Sequence, residues 1–92
     1  MTDIQVTSAR DRYGWMCRVT LTDADGSQTN HEVAVSPGDL SRFAPGATDP
    51  TDLVHRSFVF LLAREPKTSI LRGFDLPVIG RFFPEFEARI RG

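Results

Sequence analysis

Few side chains in this 92-residue chain could do chemistry: one cysteine, two histidines, scattered carboxylates and a basic–aromatic cluster near the N-terminus. Cys17 is the only candidate sulfur nucleophile. A thiol attacks as the thiolate, which at neutral pH requires a neighbouring imidazole or another positive group. The strand pairing described below sets His31 diagonally across from Cys17. It also turns Cys17 inward, and the expected role is that of a small buried hydrophobe. Zinc takes about four ligands of the Cys, His or carboxylate type. Cys17, His31 and His55 stand on three separate elements with no short-spaced pair, so no metal site and no cofactor is expected. His55 falls at the edge of a helical apolar stripe, beside Val59 and Leu62, where a packed residue with one hydrogen bond is expected.

The remaining polar groups have local explanations. Asp23, Asp25 and Asp39 occupy turn or cap positions, and no pair of carboxylates stands out as an acid–base couple. Gly26, Gly38, Gly73 and Gly80 do not form a phosphate loop, because neither GxxxxGK[ST] nor a GxGxxG after a strand is present. Arg10, Arg12, Trp15 and Arg18, with Tyr13, are the residue types that stack on and neutralise a single nucleic-acid strand. Asp11 interrupts them. A second basic group, Arg64, Lys67, Arg72 and Arg81, is diluted by Glu65 and Asp75. A solvated charged surface explains both.

The whole-chain charge agrees with that. The net charge is −1, with four basic against seven acidic groups in residues 1–50 and seven against five in residues 51–92. Such a balance carries no broad electrostatic footprint for nucleic acid or an anionic membrane. A lone cysteine excludes an internal disulfide and suits a reducing compartment. No apolar run approaches the ~20 residues of a membrane span, and the acidic, polar N-terminus has no signal-peptide pattern. The expected location is the cytoplasm, and no membrane partner is expected.

The elements that position these residues follow from periodicity. The longest apolar segment runs from Asp49 to Arg64 and reads as one helix. Asp49 is placed to cap it, Pro50 fits the first helical position, and Asp52 suits the positive end of the dipole. Pro66 disfavours helix at Glu65, which predicts an end near Arg64. Val54, Phe58, Leu61 and Leu62 form one broad stripe, while Leu53 and Phe60 lie on another side with Ser57. A helix apolar on two sides is covered on two sides. The expected second cover is the C-terminal helices or another subunit.

Upstream, Trp15–Thr22 alternates as a strand with Trp15, Cys17, Val19 and Leu21 on one face. Asp23-Ala-Asp-Gly-Ser27 fits a type I turn with Gly26 as a glycine bulge. That register sets Leu21 opposite Thr29, Val19 opposite His31, Cys17 opposite Val33 and Trp15 opposite Val35. Residues 3–8 alternate and are a candidate third strand, with residues 10–14 as a polar link. Ser36-Pro-Gly-Asp39 reads as a capping box opening a short helix through Leu40 and Phe43. After Arg64 short helical pieces are expected. Gly73 would close the first, the second would carry Leu76, Ile79, Phe82 and Phe83, and a last one from Pro84 to Arg91 would turn Phe86 and Ile90 inward.

The segments Glu65-Pro-Lys-Thr-Ser-Ile-Leu71, Phe74-Asp-Leu-Pro-Val-Ile79 and Phe82-Phe-Pro-Glu-Phe86 resemble the tail of a small bacterial family of short proteins. In that family a strand pair and a Ser-Pro turn precede an EPKxSIL…FDLxVI…YFPEY pattern. The resemblance spans roughly residues 33–90. It implies a natural, complete domain and brings no activity with it. Phenylalanines stand at 82, 83 and 86, so no role that needs a phenol is implied there.

These readings predict a single α+β domain over residues 1–92, with an antiparallel sheet of two or three strands, a central helix and short C-terminal helices. The leading functional expectation is a non-enzymatic protein–protein interaction module or small accessory subunit, self-associating as a homodimer or bound to another protein. Leu53, Phe60, Phe82, Phe83 and Phe86 are its expected contact residues, because so small a domain does not easily bury every phenylalanine. The second expectation is single-stranded nucleic-acid binding through Arg10, Arg12, Trp15 and Arg18. The third is a cysteine-dependent enzyme or thiol sensor using Cys17 and His31.

Overall fold

Three strands in succession build most of the sheet. The computed structural model describes residues 1–91. Strand β1 (Asp3–Asp11), β2 (Gly14–Thr22) and β3 (Gln28–Val35) form an antiparallel meander. The β2–β3 register is the one the glycine-bulge turn dictates: Leu21 faces Thr29, Val19 faces His31, Cys17 faces Val33 and Trp15 faces Val35. Gly26 has φ +87°, and Asp23 and Ser27 close the turn with an N–H···O bond of 2.9 Å.

Strand β1 is longer than expected. It reaches Asp11, and Arg12 and Tyr13 alone make the turn into β2, so residues 10–14 are a hairpin end and not a loose link. The turn works because position 14 is glycine. Gly14 has φ +142°, and a Cβ there would run into the Val35 carbonyl oxygen.

The sheet also has a fourth strand. After the long helix the chain comes back beside β3, and Gly73–Asp75 pairs with it in parallel as β4, giving the order β1-β2-β3-β4. The expectation of two or three antiparallel strands, with Gly73 ending a helical turn, is corrected here. Glu32 N–H donates to the Arg72 carbonyl oxygen at 2.7 Å, and that long-range bond starts the pairing. Three residues with one apolar side chain carry no alternation that local pattern could reveal.

Four helices among the described residues complete the fold. Helix α1 (Pro37–Phe43) opens with the full capping box: Ser36 Oγ accepts from Asp39 N–H at 3.0 Å, and Asp39 Oδ2 accepts from Ser36 N–H at 3.0 Å. Helix α2 (Thr51–Leu62) starts one residue later than expected, because Asp49 Oδ1 accepts from Thr51 N–H and Pro50 is itself the capping residue. It ends two residues early, in a turn where Glu65 N–H reaches back to the Leu61 carbonyl oxygen. Two 3₁₀ turns (Lys67–Ser69 and Leu76–Val78) flank β4, followed by α3 (Ile79–Phe82) and α4 (Phe86–Arg91).

The core lies between one face of the sheet and α2. Val54 and Phe58 are fully buried, and Phe58 meets His31 and Phe74 at ring-centroid distances of 5.5 and 6.2 Å. Burying a phenylalanine completely contributes about 2–3 kcal/mol. The second side of α2 is covered as well, by the C-terminal helices. Phe60 packs on Phe86 and Phe83 at 5.2 and 5.9 Å, Phe86 meets Phe43 of α1 at 5.5 Å, and Arg56 Nη1 donates to the Ile90 carbonyl oxygen at 2.6 Å. Ser57, fully buried on this flank, donates to the Leu53 carbonyl oxygen. The other face of the sheet stays polar, with Gln5, Thr7, Arg18, Asn30 and Glu32 exposed.

Candidate functional site

Position on β2 decides the chemistry of Cys17. Its side chain points into the core and is fully buried. Burial pushes the thiol up to about 11, and the negative charge of Asp49 adds to the shift. A thiol in that state is almost wholly protonated at neutral pH and is a poor nucleophile.

His31 is no help to it. Its Nδ1 donates to the Leu71 carbonyl oxygen at 2.7 Å, and its Nε2 lies 2.8 Å from the Thr29 hydroxyl. Both ring nitrogens are therefore engaged, and the imidazole serves as a buried strut between β3 and the segment before β4. His55 stands on an exposed stretch of α2 rather than in a packed position, because its turn of the helix faces out beside β1. Among the described residues no group of three His, Cys, Asp or Glu side chains could hold a metal ion.

The four residues expected to meet nucleic acid do not form one surface. Trp15 is buried, 8% exposed, and has no free face for a base. The Arg10 guanidinium lies 5.0 Å from its ring centroid, on the side of the sheet that carries the core. Arg18 points to the opposite face, 3.9 Å from Glu32, and Arg12 stacks on Tyr13 in the hairpin turn. The cause is strand alternation: residues 15 and 18 differ by an odd number and must point to opposite faces.

The phenylalanines divide between core and surface. Leu53 and Phe86 are wholly inside, and Phe60 is buried with the Arg64 guanidinium 3.6 Å from its ring centroid. As contact residues for a partner these three are corrected, since the packing of α2 and α1 against α4 already buries them. Phe83 is half-buried and Phe82 is 65% exposed.

Phe82 and Phe83 belong to an apolar groove of about 310 Å³ at the β4 edge of the fold. Buried Leu61, Ile70 and Ile79 form its floor, half-buried Phe74 and Val78 its wall, and exposed Leu71 and Phe82 its rim. Among the described residues Glu65 and Ser69 are the only polar side chains that line it. Three local features build it. Ile70 leaves the first 3₁₀ turn extended, which buries its side chain at the floor and leaves that of Leu71 half-exposed at the rim. The His31 bond holds the Leu71 carbonyl inward. Helix α3 is a single turn, so Phe82 and Phe83 project together from its end.

Sequence reasoning did not find Ile70, Leu71 or Val78 as parts of a site. The available signal was the run Ile70-Leu71: one of two adjacent large apolar residues in extended chain faces outward unless both sides are covered.

No helix among the described residues is long and apolar enough to cross a membrane. Compared with known families, curated proteins and solved structures, this chain matches none.

Proposed function

We propose that this protein is a non-enzymatic interaction module whose groove beside β4 takes an apolar segment of a protein partner. The observation that carries the reading is the rim. Leu71 and Phe82, 49% and 65% exposed, stand over a floor of buried aliphatic side chains. Large apolar groups held in water beside a preformed hollow are characteristic of protein contacts. A small-molecule site of this size ordinarily adds several convergent polar groups, and here only Glu65 and Ser69 are near. The protonated thiol of Cys17 and the fully bonded ring of His31 favour binding over catalysis.

A displayed library of short peptides, selected on the purified protein, tests this. Selected sequences should share one or two large apolar anchors. Their binding should be lost in Phe82→Glu and kept in Tyr13→Glu, which alters an exposed aromatic far along the sheet. If no family of peptides is enriched, or if enriched peptides bind both variants alike, the reading is wrong.

A further inference from the structure

We infer that β1 is a self-association edge, through which two copies join their sheets in an antiparallel β1–β1 pair. This surface lies at the opposite end of the strand order from the groove and does not depend on it.

The inference begins with backbone direction. Among the described residues strand β1 pairs only with β2. Asp11 and Gly14 flank a two-residue turn, so they form a hydrogen-bonded pair, and the odd residues of β1 direct their N–H and C=O groups at β2. The bonds elsewhere in the sheet agree in phase: Asp23 N–H reaches Ser27 across the β2–β3 turn, and Glu32 N–H reaches Arg72 on the β4 side. The main-chain groups of Ile4, Val6, Ser8 and Arg10 therefore point out along the free edge.

This edge is unguarded. The β1–β2 register runs without a bulge over nine residues, and β1 contains no proline and no lysine. Its charges, Asp3, Arg10 and Asp11, sit at the two ends, leaving Ile4–Ala9 neutral. Long, flat and uncharged edges are what folded proteins ordinarily avoid or cover.

A second copy is the occupant that the residues fit. A two-fold axis at Val6 sets Val6 against the partner's Val6, Ile4 against the partner's Ser8 and Gln5 against the partner's Thr7. The outward main-chain groups then exchange about six hydrogen bonds. Asp3 falls opposite the partner's Ala9. A shift of the axis to Thr7 sets Asp3 against the partner's Asp11, and a shift to Ser8 sets Val6 against the partner's Arg10. Charge and apolar matching thus disfavour registers shifted towards Asp11.

The flank of α2 continues the same seam. Thr51 meets Ser8 at 3.4 Å, His55 lines an open cleft with Val6, and Val59, one turn on, is 51% exposed with no cover. In the pair these residues face their counterparts above the joined sheets, where Ile4 and Val6 are only half-buried within one copy.

Sedimentation equilibrium together with amide hydrogen exchange tests this on the unmodified protein. The expected result is a mass twice 10.3 kDa and protection of the Ile4, Val6 and Ser8 amides that rises with protein concentration. The odd-numbered β1 amides should be protected at every concentration. Val6→Glu, which sets two carboxylates on the axis, should weaken the dimer by about tenfold or more, while Phe82→Glu leaves it unchanged. A monomer at all concentrations overturns the inference. So does a dimer whose Ile4, Val6 and Ser8 amides exchange freely. Because the exchange measurement needs no variant, poor folding of Val6→Glu does not blunt the test. Loss of the dimer in Phe82→Glu alone would place association at the groove and also overturn it.

Discussion

His31 Nδ1 donates to the Leu71 carbonyl oxygen across 2.7 Å, joining the middle of the sheet to the rim of the apolar groove. The ring is 2% exposed and tilted against Phe58, so packing and hydrogen bonding act through one side chain. A carbonyl oxygen only accepts, so Nδ1 carries a proton. We predict that His31→Ala destabilises the fold by about 2–4 kcal/mol, from the cavity and the orphaned carbonyl together. His31→Phe keeps most of the volume and should cost about 1–3 kcal/mol through the unsatisfied carbonyl alone. Urea denaturation measures both, and equal stability of His31→Phe and the parent would show that the bond contributes nothing.

Cys17 should be protected in the folded protein. With the thiol pushed up to about 11, roughly one in a thousand is ionised at pH 8. Iodoacetamide at that pH should label the native protein at least about a hundredfold more slowly than the unfolded chain. The direction with pH follows. The folded value lies above the unfolded one, so the neutral thiol's contribution to stability is whole below the ordinary thiol range and is lost as pH rises through it towards 11. Cys17→Ala should remove this alkaline component of the stability curve. Fast labelling without unfolding would contradict the burial.

Asp23 gathers three segments. Lys67 Nζ donates to its Oδ2 and Thr2 Oγ1 to its Oδ1, each at 2.6 Å, and Lys67 also reaches Ser27 Oγ. The Lys67 hydrogen bond, then that of Thr2, holds the Asp23 carboxyl below the usual carboxylate range. A depressed value means stability that is present above about pH 4 and lost as pH falls through the folded value. Asp23→Asn should therefore melt at a lower temperature than the parent at pH 7 and at the same temperature near pH 2. A difference that persists undiminished in acid would rule out the ionised pair as its source.

Gly14→Ala should be among the most damaging single changes. The residue is held at φ +142°, and an added Cβ meets the Val35 carbonyl oxygen and Ser36 backbone, neither of which can swing away. A loss of at least about 3 kcal/mol is expected. Gly26→Ala is the control: φ is +87° but nothing lies within 4 Å of the added carbon, so only the conformational cost of about 1–2 kcal/mol applies. Thermal unfolding of the two variants should separate them clearly, and similar losses would mean that steric contact at Gly14 is relieved by movement.

Local pattern determined the parts of this protein whose causes lie within a few residues. The alternation of Trp15–Leu21 and the position of Gly26 set the β2–β3 register, because a one-residue slip would turn every apolar side chain to water. Ser36 and Asp39 set the start of α1, and the two-sided apolar character of α2 required cover over Phe60. Tertiary structure decided the rest. Whether Phe60 and Phe86 met each other or a second molecule depended on where Pro84 and the single turn of α3 aimed α4, and no periodicity encodes that direction. Strand β4 is three residues long and exists because β3 offers it a free row of main-chain groups. The groove arises from that same return of the chain, so Leu71 and Phe82 became neighbours of one hollow through contacts distant in sequence.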